Sequence, residues 1–414
     1  MQYSAYQEML MQPKKIIQNL SELPTMPCTI GTMAWNETGD WRHLTPLITN
    51  KLAPCSQNCP AGIPIPSYLN ALKDGSFQKG LALLLAHNPL PGLTGRLCYH
   101  PCQTKCVRKQ IDWAVSVQKI ERFLADIGTE VKIEKSKAAD KLVVVIGSGP
   151  LGLSCAFYLS LRGCRVVILD PNNQAGGALL DLPSEKIEPQ VLANEINRLT
   201  VLADIKLETD ATIDFDSPGE PLTKADLLIL DPTGLSEDFT APAKAVAFDP
   251  FDDSNITDEI ITVTLPKKLK PFKAPMIAHY IAVGRLTAQK AFDSLVVHSR
   301  QQGLVQPNLD LPPKAVNVKD IKIELFLASD LAAKAVGKRE ETWDGKRTLQ
   351  EAERCLSCGT CNLCLQCVSF CPDASIRLDE PETSVVVDLD HCKGCGICAY
   401  ECPRGIITME EIST

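Results

Sequence analysis

Three domains are expected from this sequence: an α/β Rossmann-like dinucleotide-binding domain, an α-helical iron–sulfur domain before it, and a ferredoxin-type α+β domain after it. Three observations carry the expectation. Near the end stand two cysteine runs, CNLCLQCVSFCP and CKGCGICAYECP, each C-x2-C-x2-C-x3-C followed by proline. Further back, the apolar β-branched run 142–146 enters Gly147-x-Gly149-x-x-Gly152 and is followed by a helical stretch and a second strand. Between them and the start, Cys55, Cys59, Cys98, Cys102 and Cys106 lie at the two ends of a helix-forming region.

Bulk properties narrow the class. The 414 residues, 45% of them apolar, suffice for two or three real cores. A formal charge of −8 argues against nucleic acid or a membrane surface as partner. Apolar stretches such as LALLLA (81–86) are far too short to cross a bilayer. The opening MQYSAYQEMLMQPKK has neither a basic region ahead of an apolar core nor a twin arginine, so a cytoplasmic location is expected. In a reducing cytoplasm, eighteen cysteines clustered at C-x2-C and C-x3-C spacings read as metal ligands rather than disulfides.

The two terminal runs have the spacing that wraps a [4Fe–4S] cube, the fourth cysteine of each run serving the other cluster. One cluster is therefore assigned to Cys361, Cys364, Cys367 and Cys402, the second to Cys392, Cys395, Cys398 and Cys371. Zinc ribbons also use C-x2-C pairs, but two complete copies, each ending in Cys-Pro, favour iron and sulfide. Residues 351–414 are the expected ferredoxin domain.

Residues 1–50 show no sustained period and read as an extended docking arm. Within it, NETGDWRHLTP (36–46) places Trp41 beside Arg42, either as a local packing anchor or as an interface pair. The segment resembles a stretch ahead of the ferredoxin domain in the delta subunit of pyruvate:ferredoxin oxidoreductases, which implies docking onto a 2-oxoacid oxidoreductase. Cys28 is an isolated thiol.

Residues 51–135 form the helical domain, with helical periodicity over 66–86 and 115–126 and prolines at the boundaries. The motifs Cys55-x3-Cys59-Pro60, Asn88–Pro91, Gly95-Arg-x-Cys98 and Glu121–Phe123 resemble the iron–sulfur domain of the glutamate synthase small subunit and of dihydropyrimidine dehydrogenase. That resemblance implies that Cys59, Cys98 and Cys102 share one cluster, with a fourth ligand from a side chain near Glu121, or else Cys55 or Cys106. Relatives of this type carry a further C-x2-C pair just ahead of the first motif, where this chain has 48–51 without cysteine. Cys355 and Cys358, in AERCLSCG, resemble the absent pair, and with Cys55 and Cys106 would make one more cluster. His100 and His391 adjoin cluster cysteines, in reach of tuning them.

The domain over 140–300 carries the glycine fingerprint. Its glycines permit a tight turn and close approach of a pyrophosphate, and Asp170, at the end of the second strand, is placed to bond a ribose hydroxyl. Gly176 and Gly177 match the flavin domain of the glutamate-synthase-like family, which implies FAD. The family resemblance breaks down further along. DLLILDPTG (226–234) has Asp231 and Pro232 where small residues are expected, no second glycine fingerprint follows, and HYIAVGRLTAQKAFDSL (279–295) lacks the expected aspartate. Residues 301–350 read as a linker with a short helix.

Such a chain is built to move electrons. The expected function is an electron-transfer subunit of a larger oxidoreductase, with partners among catalytic subunits of 2-oxoacid oxidoreductase type or further copies of itself. The alternatives are a stand-alone NAD(P)H-dependent reductase related to the glutamate synthase small subunit, a relay subunit of a formate dehydrogenase or hydrogenase, or a scaffold whose Rossmann-like domain is vestigial, with nicotinamide binding in place of FAD or an empty relic as the other readings of that domain.

Overall fold

The computed structural model describes residues 37–127, 131–133, 135–137, 139–236, 238–252, 256, 258–300, 343–379 and 384–412. Cys28 and residues 301–342 of the expected linker lie outside them. The chain divides into two compact units: the described residues up to Lys51 together with Cys358 onward, and Leu52–Ser357.

In chain order, β1 (Leu44–Ile48) precedes a run of short helices: α1 (Pro54–Gln57), α2 (Ile65–Lys73), α3 (Phe77–Leu85), α4 (Pro91–Leu97), α5 (Pro101–Thr104) and α6 (Val117–Asp126). The single helix expected over 66–86 is two. Gly75 adopts φ +77°, which ends α2, and the Ser76 hydroxyl accepts from Lys79 N to start α3. Each helix buries one stripe, Tyr68, Leu69 and Leu72 from α2, Leu81, Leu84 and Leu85 from α3, Ile120 and Leu124 from α6. A fully buried leucine of this kind contributes about 1.5–3 kcal/mol. Gly95 lets α4 meet α6, since a Cβ there would stand 2.7 Å from Arg122 N.

The middle of the second unit is a six-stranded, all-parallel sheet in the order β4-β3-β2-β5-β7-β6. Its strands are β2 (Leu142–Ile146), β3 (Arg165–Leu169), β4 (Lys206–Glu208), β5 (Leu227–Leu230), β6 (Val246–Phe248) and β7 (Ile260–Val263). Between them run α7 (Pro150–Leu161) and α8 (Pro189–Ala203), and after them α9 (Ile277–Arg300). Val143 and Val145 face the helices, whereas Val144 and Ile146 join Leu169, Leu228 and Leu230 on the opposite face. Burial on both faces explains why β2 is apolar throughout instead of alternating. Every residue of α7 is buried, with α9 lying along it. Cys155 and Cys164 are core residues.

A last helix of this unit, α10 (Gly345–Glu353), starts at Asp344, whose carboxylate accepts from Arg347 N at 2.7 Å, and packs against α2 and α6. It is the short helix expected in the linker.

The other unit holds α11 (Gln366–Ser369), β8 (Ile376–Leu378), β9 (Val385–Val387), α12 (Ile397–Glu401) and β10 (Ile407–Glu411). β8 pairs antiparallel with β9, and β1 with β10. The end of the expected arm is thus a strand of the ferredoxin-type domain. Among the described residues no helix is long and apolar enough to cross a membrane.

Candidate metal centres and the dinucleotide-type loop

In the ferredoxin-type unit each cysteine run folds as a tight loop with residues in the left-handed region (Leu363, Leu365, Gly394, Gly396), and closes on a short helix. Cys361, Cys364, Cys367 and Cys402 line one cavity. Cys371, Cys392, Cys395 and Cys398 line a second. The fourth cysteine at each cavity comes from the other run. No three His, Cys, Asp or Glu side chains among the described residues are grouped to hold a single metal ion. The four-cysteine cavities suit a larger inorganic core, whose thiolates stand farther apart than those around one zinc.

The described end of the expected arm borders the second cavity. Pro46 lines it, Gly39 N donates to Asp390 O at 2.7 Å, and Arg42 donates to Leu389 O and, at 3.2 Å, to Cys392 O. Arg42 is therefore the local anchor, while Trp41 beside it is 62% exposed. Around Cys371, Ser375 N donates to Sγ at 3.3 Å. His391 instead pairs with Asp388 at 2.9 Å.

In the helical domain, Cys59, Cys98 and Cys102 are buried together with Glu121. Burial pushes the Cys59 thiol up to about 11 and those of Cys98 and Cys102 higher still, and negative charge on Glu121 adds to all three. Burial likewise lifts the Glu121 carboxyl to about 7, against the hydrogen bonds it accepts from Thr94 (2.9 Å) and Tyr68 (3.4 Å). Asn88 of the NPLP motif organises this corner, donating to Thr94 Oγ1 at 2.7 Å and accepting from Leu90 N at 3.1 Å. Four acids buried in one place repel as anions, and a cationic iron core reverses that penalty by holding the thiols deprotonated. The donor set fits such a core. His100 N donates to Cys98 Sγ at 3.3 Å, while its imidazole is tied to Cys98 O.

Cys55, Cys106 and Cys355 all edge the same apolar core; Cys358 belongs to the other unit. Cys355 is positioned from several sides. Its carbonyl accepts from Lys73 Nζ at 2.7 Å, and Ser357 N donates to its sulfur at 3.4 Å. Next to it Arg354 donates to Asp112 (2.8 Å) and Trp113 O (2.6 Å), pairs with Glu351, and stacks on the Trp113 ring. Hydrogen bonds from Arg108 and then Arg354 hold the Asp112 carboxyl well below the usual range. Its folded pKa is depressed, so this bridge contributes above the ordinary carboxylate range and is lost as pH falls through the folded value. Arg354→Ala is expected to lower the melting temperature of the helical domain by about 2–4 °C at neutral pH. The same variant at pH 3, where Asp112 is protonated in the unfolded chain and the bridge weakened, is expected to differ less from the parent.

The glycine loop is packed against the chain's own backbone. Gly147 adopts φ +99°. A Cβ on Gly149 would stand 2.2 Å from Thr233 Oγ1, and one on Gly234 would stand 2.6 Å from both Ser148 N and Gly149 N. Gly177, at φ +52°, is equally close to Thr233 O and Gly234 Cα. Gly176 N donates to Ser148 Oγ at 2.8 Å. Asp170, expected at a ribose, is engaged within the chain. It is fully buried, accepting from Ser148 N and Oγ on one oxygen and from Asn172 on the other. Asp231, also fully buried, accepts from Gly152 N at 2.9 Å and from Thr233 N and Oγ1. Burial raises its carboxyl to about 6, against the hydrogen bonds from Thr233 and Gly152.

Sequence reasoning missed Asp231 as a ligand of the loop, although its departure from a small residue was the available signal. It also missed Glu195 and Arg285, which carry no motif. Gly92 N donates to Glu195 at 2.7 Å, and Gly62, at φ +63°, makes way for the Arg285 guanidinium. Arg285 is buried, lowers the Cys59 thiol, and its Nη1 has no acceptor among the described residues.

Comparison with known proteins finds three family models, one per domain. Residues 48–133 match the dihydropyrimidine dehydrogenase domain II 4Fe–4S model, 145–188 an NAD(P)-binding Rossmann-like domain, and 354–406 a 4Fe–4S dicluster domain. The chain is 34% identical over 191 residues to the NADP(+)-dependent formate dehydrogenase subunit beta of Moorella thermoacetica, covering 39% of this chain and 27% of that one. It is 32% identical over 188 residues to the NADPH-Fe(3+) oxidoreductase subunit beta of Geobacter sulfurreducens (44% and 28%). It is 34% identical over 151 residues to the glutamate synthase [NADPH] small chain of Bacillus subtilis (35% and 30%). The chain thus spans less than a third of the length of each of these relatives. A helical 4Fe–4S domain, a parallel-sheet Rossmann domain of the NAD(P)/FAD-binding class and a C-terminal 4Fe–4S dicluster domain are its architecture.

Proposed function

We propose that this chain is an iron–sulfur electron-relay subunit of a multi-subunit oxidoreductase. The observation that carries the reading is the pair of cavities, each lined by four cysteines contributed by both runs. Cys361, Cys364, Cys367 and Cys402 would hold one cluster, and Cys392, Cys395, Cys398 and Cys371 the second. Cys59, Cys98 and Cys102 would hold a third, with Glu121 as its fourth ligand. Such clusters, when bound, supply one-electron redox centres. The chain's own residues bury them, donate backbone N–H groups to Cys371 and Cys98 sulfur, and set the buried Arg285 charge near Cys59.

The partner named first by the sequence, a 2-oxoacid oxidoreductase, rests on the Trp41 segment alone. The relatives are described as subunits of formate dehydrogenase, NADPH-Fe(3+) oxidoreductase and glutamate synthase, which supports the alternative. We assign the chain to a nicotinamide-linked complex of the formate dehydrogenase or NADPH-reductase kind, as its relay and not as the subunit that binds the nucleotide. The test is to assay the purified, iron-loaded chain with NADPH and a viologen dye. The expected result is a chain that dithionite reduces but that, by itself, oxidises no NADPH. Dye reduction by NADPH at the isolated chain would overturn the relay reading in favour of a stand-alone reductase.

A further inference from the structure

We propose that the central α/β domain binds no flavin or nicotinamide nucleotide, because the chain's own Asp231–Gly234 loop occupies the pyrophosphate seat, and that the domain serves as a brace for the helical cluster domain. In dinucleotide-binding folds the glycine loop opens a space above the N-terminus of the following helix, where backbone N–H groups and the helix dipole take up the phosphates. Here Ser148 N, Leu151 N and Gly152 N are taken. Gly152 N donates to the Asp231 carboxylate and Leu151 N points to Thr233 Oγ1 at 3.4 Å. Pro150 has no N–H to offer. Ser148 N donates to Asp170 at 2.8 Å, and Gly234 lies against Ser148 N and Gly149 N. A carboxylate at the start of α7 satisfies the same positive end that a phosphate would, and a pyrophosphate brought beside it would meet a like charge in a buried place.

Two further observations agree. Asp170, the residue that would reach a ribose, spends both oxygens on Ser148 and Asn172. In the returning segment Gly284 stands inside α9, not in a loop ahead of it. A Cβ there would sit 2.5 Å from Leu151 O and 2.9 Å from Cys155 N, so this glycine serves contact between α9 and α7. The contacts the domain does make run to the cluster helices. Glu195 holds Gly92 N, Arg198 donates to Ala125 O at 3.1 Å, Tyr99 N donates to Pro275 O at 3.2 Å, and Tyr99 stacks on His279.

The test uses the full chain, purified without oxygen and with its iron counted. Acid-released flavin is expected at less than about a tenth of a mole per mole of chain, and neither FAD, NADPH nor inorganic pyrophosphate is expected to move its melting temperature. Asp231→Ala is expected to melt lower than the parent, with inorganic pyrophosphate at millimolar concentration recovering part of the loss, since the variant regains an anion seat. About one flavin per chain, or a rise of about 5 °C or more when FAD is added to the parent, would overturn the inference. An Asp231→Ala variant indifferent to pyrophosphate would overturn the stand-in role of the carboxylate. Should that variant fail to accumulate, the flavin count and the FAD titration of the parent decide. A flavin found beside a full complement of iron sinks this inference and leaves the relay reading intact.

Discussion

Replacing Cys402 with serine is expected to remove the cluster seated at Cys361, Cys364 and Cys367, not the one nearest to it in sequence. Cys402 closes the run that begins at Cys392, yet it lines the cavity of the first run, and Cys371 lines that of the second. The reason lies in the chain's path. Three thiols at C-x2-C-x2-C spacing sit on one tight loop and would ligate three irons of one cluster. The x3 spacing carries the fourth onto the far side of a short helix, α11 or α12, where it meets the other loop. Iron should fall by about four atoms per chain. Double variants give the assignment. Cys402→Ser with Cys361→Ser should lose no more iron than either alone, whereas Cys402→Ser with Cys392→Ser should lose both clusters. The reverse pattern, with Cys402→Ser and Cys392→Ser losing no more together than singly, would mean that each run wraps its own cluster.

Glu121→Ala is expected to have the second-largest effect. Burial penalises a carboxylate on the apolar stripe of α6 among Val117, Ile120 and Leu124, a cost that a cationic partner would offset. Thr94 and Tyr68 supply two hydrogen bonds, yet the carboxyl remains raised to about 7. Three buried thiols face it. With the carboxylate gone, the helical domain should lose about one iron per chain and show the magnetic resonance signature of a three-iron cluster when oxidised, while the two terminal clusters keep theirs. Glu121→Cys should restore the fourth iron. If Glu121→Ala retains a full four-iron centre, the fourth ligand is another side chain, and Cys55 and Cys106 become the residues to replace.

How much of this was legible beforehand divides along a physical line. Ligand cages and glycine turns are local, so spacing alone pointed to both terminal cavities and the strand–loop–helix start of the parallel sheet, whereas the grouping of Cys59, Cys98 and Cys102 near Glu121 came from the resemblance to the glutamate synthase small subunit. Effects that depend on what approaches from afar were not legible. β1 pairs with β10 across nearly the whole chain, a register that neither strand announces. Periodicity could not show that Gly75 would break one helix into two. The hydrogen bonds of Asp170 were not legible for a similar reason. Motif spacing places an acid at the strand end but not the direction in which its carboxylate turns, and here Ser148 and Asn172 turn it inward. Asp231 and Pro232 were visible as departures from the family pattern. Only the fold brings that carboxylate to Gly152 N and makes the departure a closure of the loop.

Since the relay depends on iron–sulfur clusters, the decisive measurement is a metal and sulfide count on anaerobically purified chain, paired with low-temperature magnetic resonance after dithionite reduction. About twelve irons and as many sulfides per chain, with interacting signals from reduced four-iron centres, are predicted. Colourless protein that carries zinc, or that shows no resonance on reduction, would contradict it.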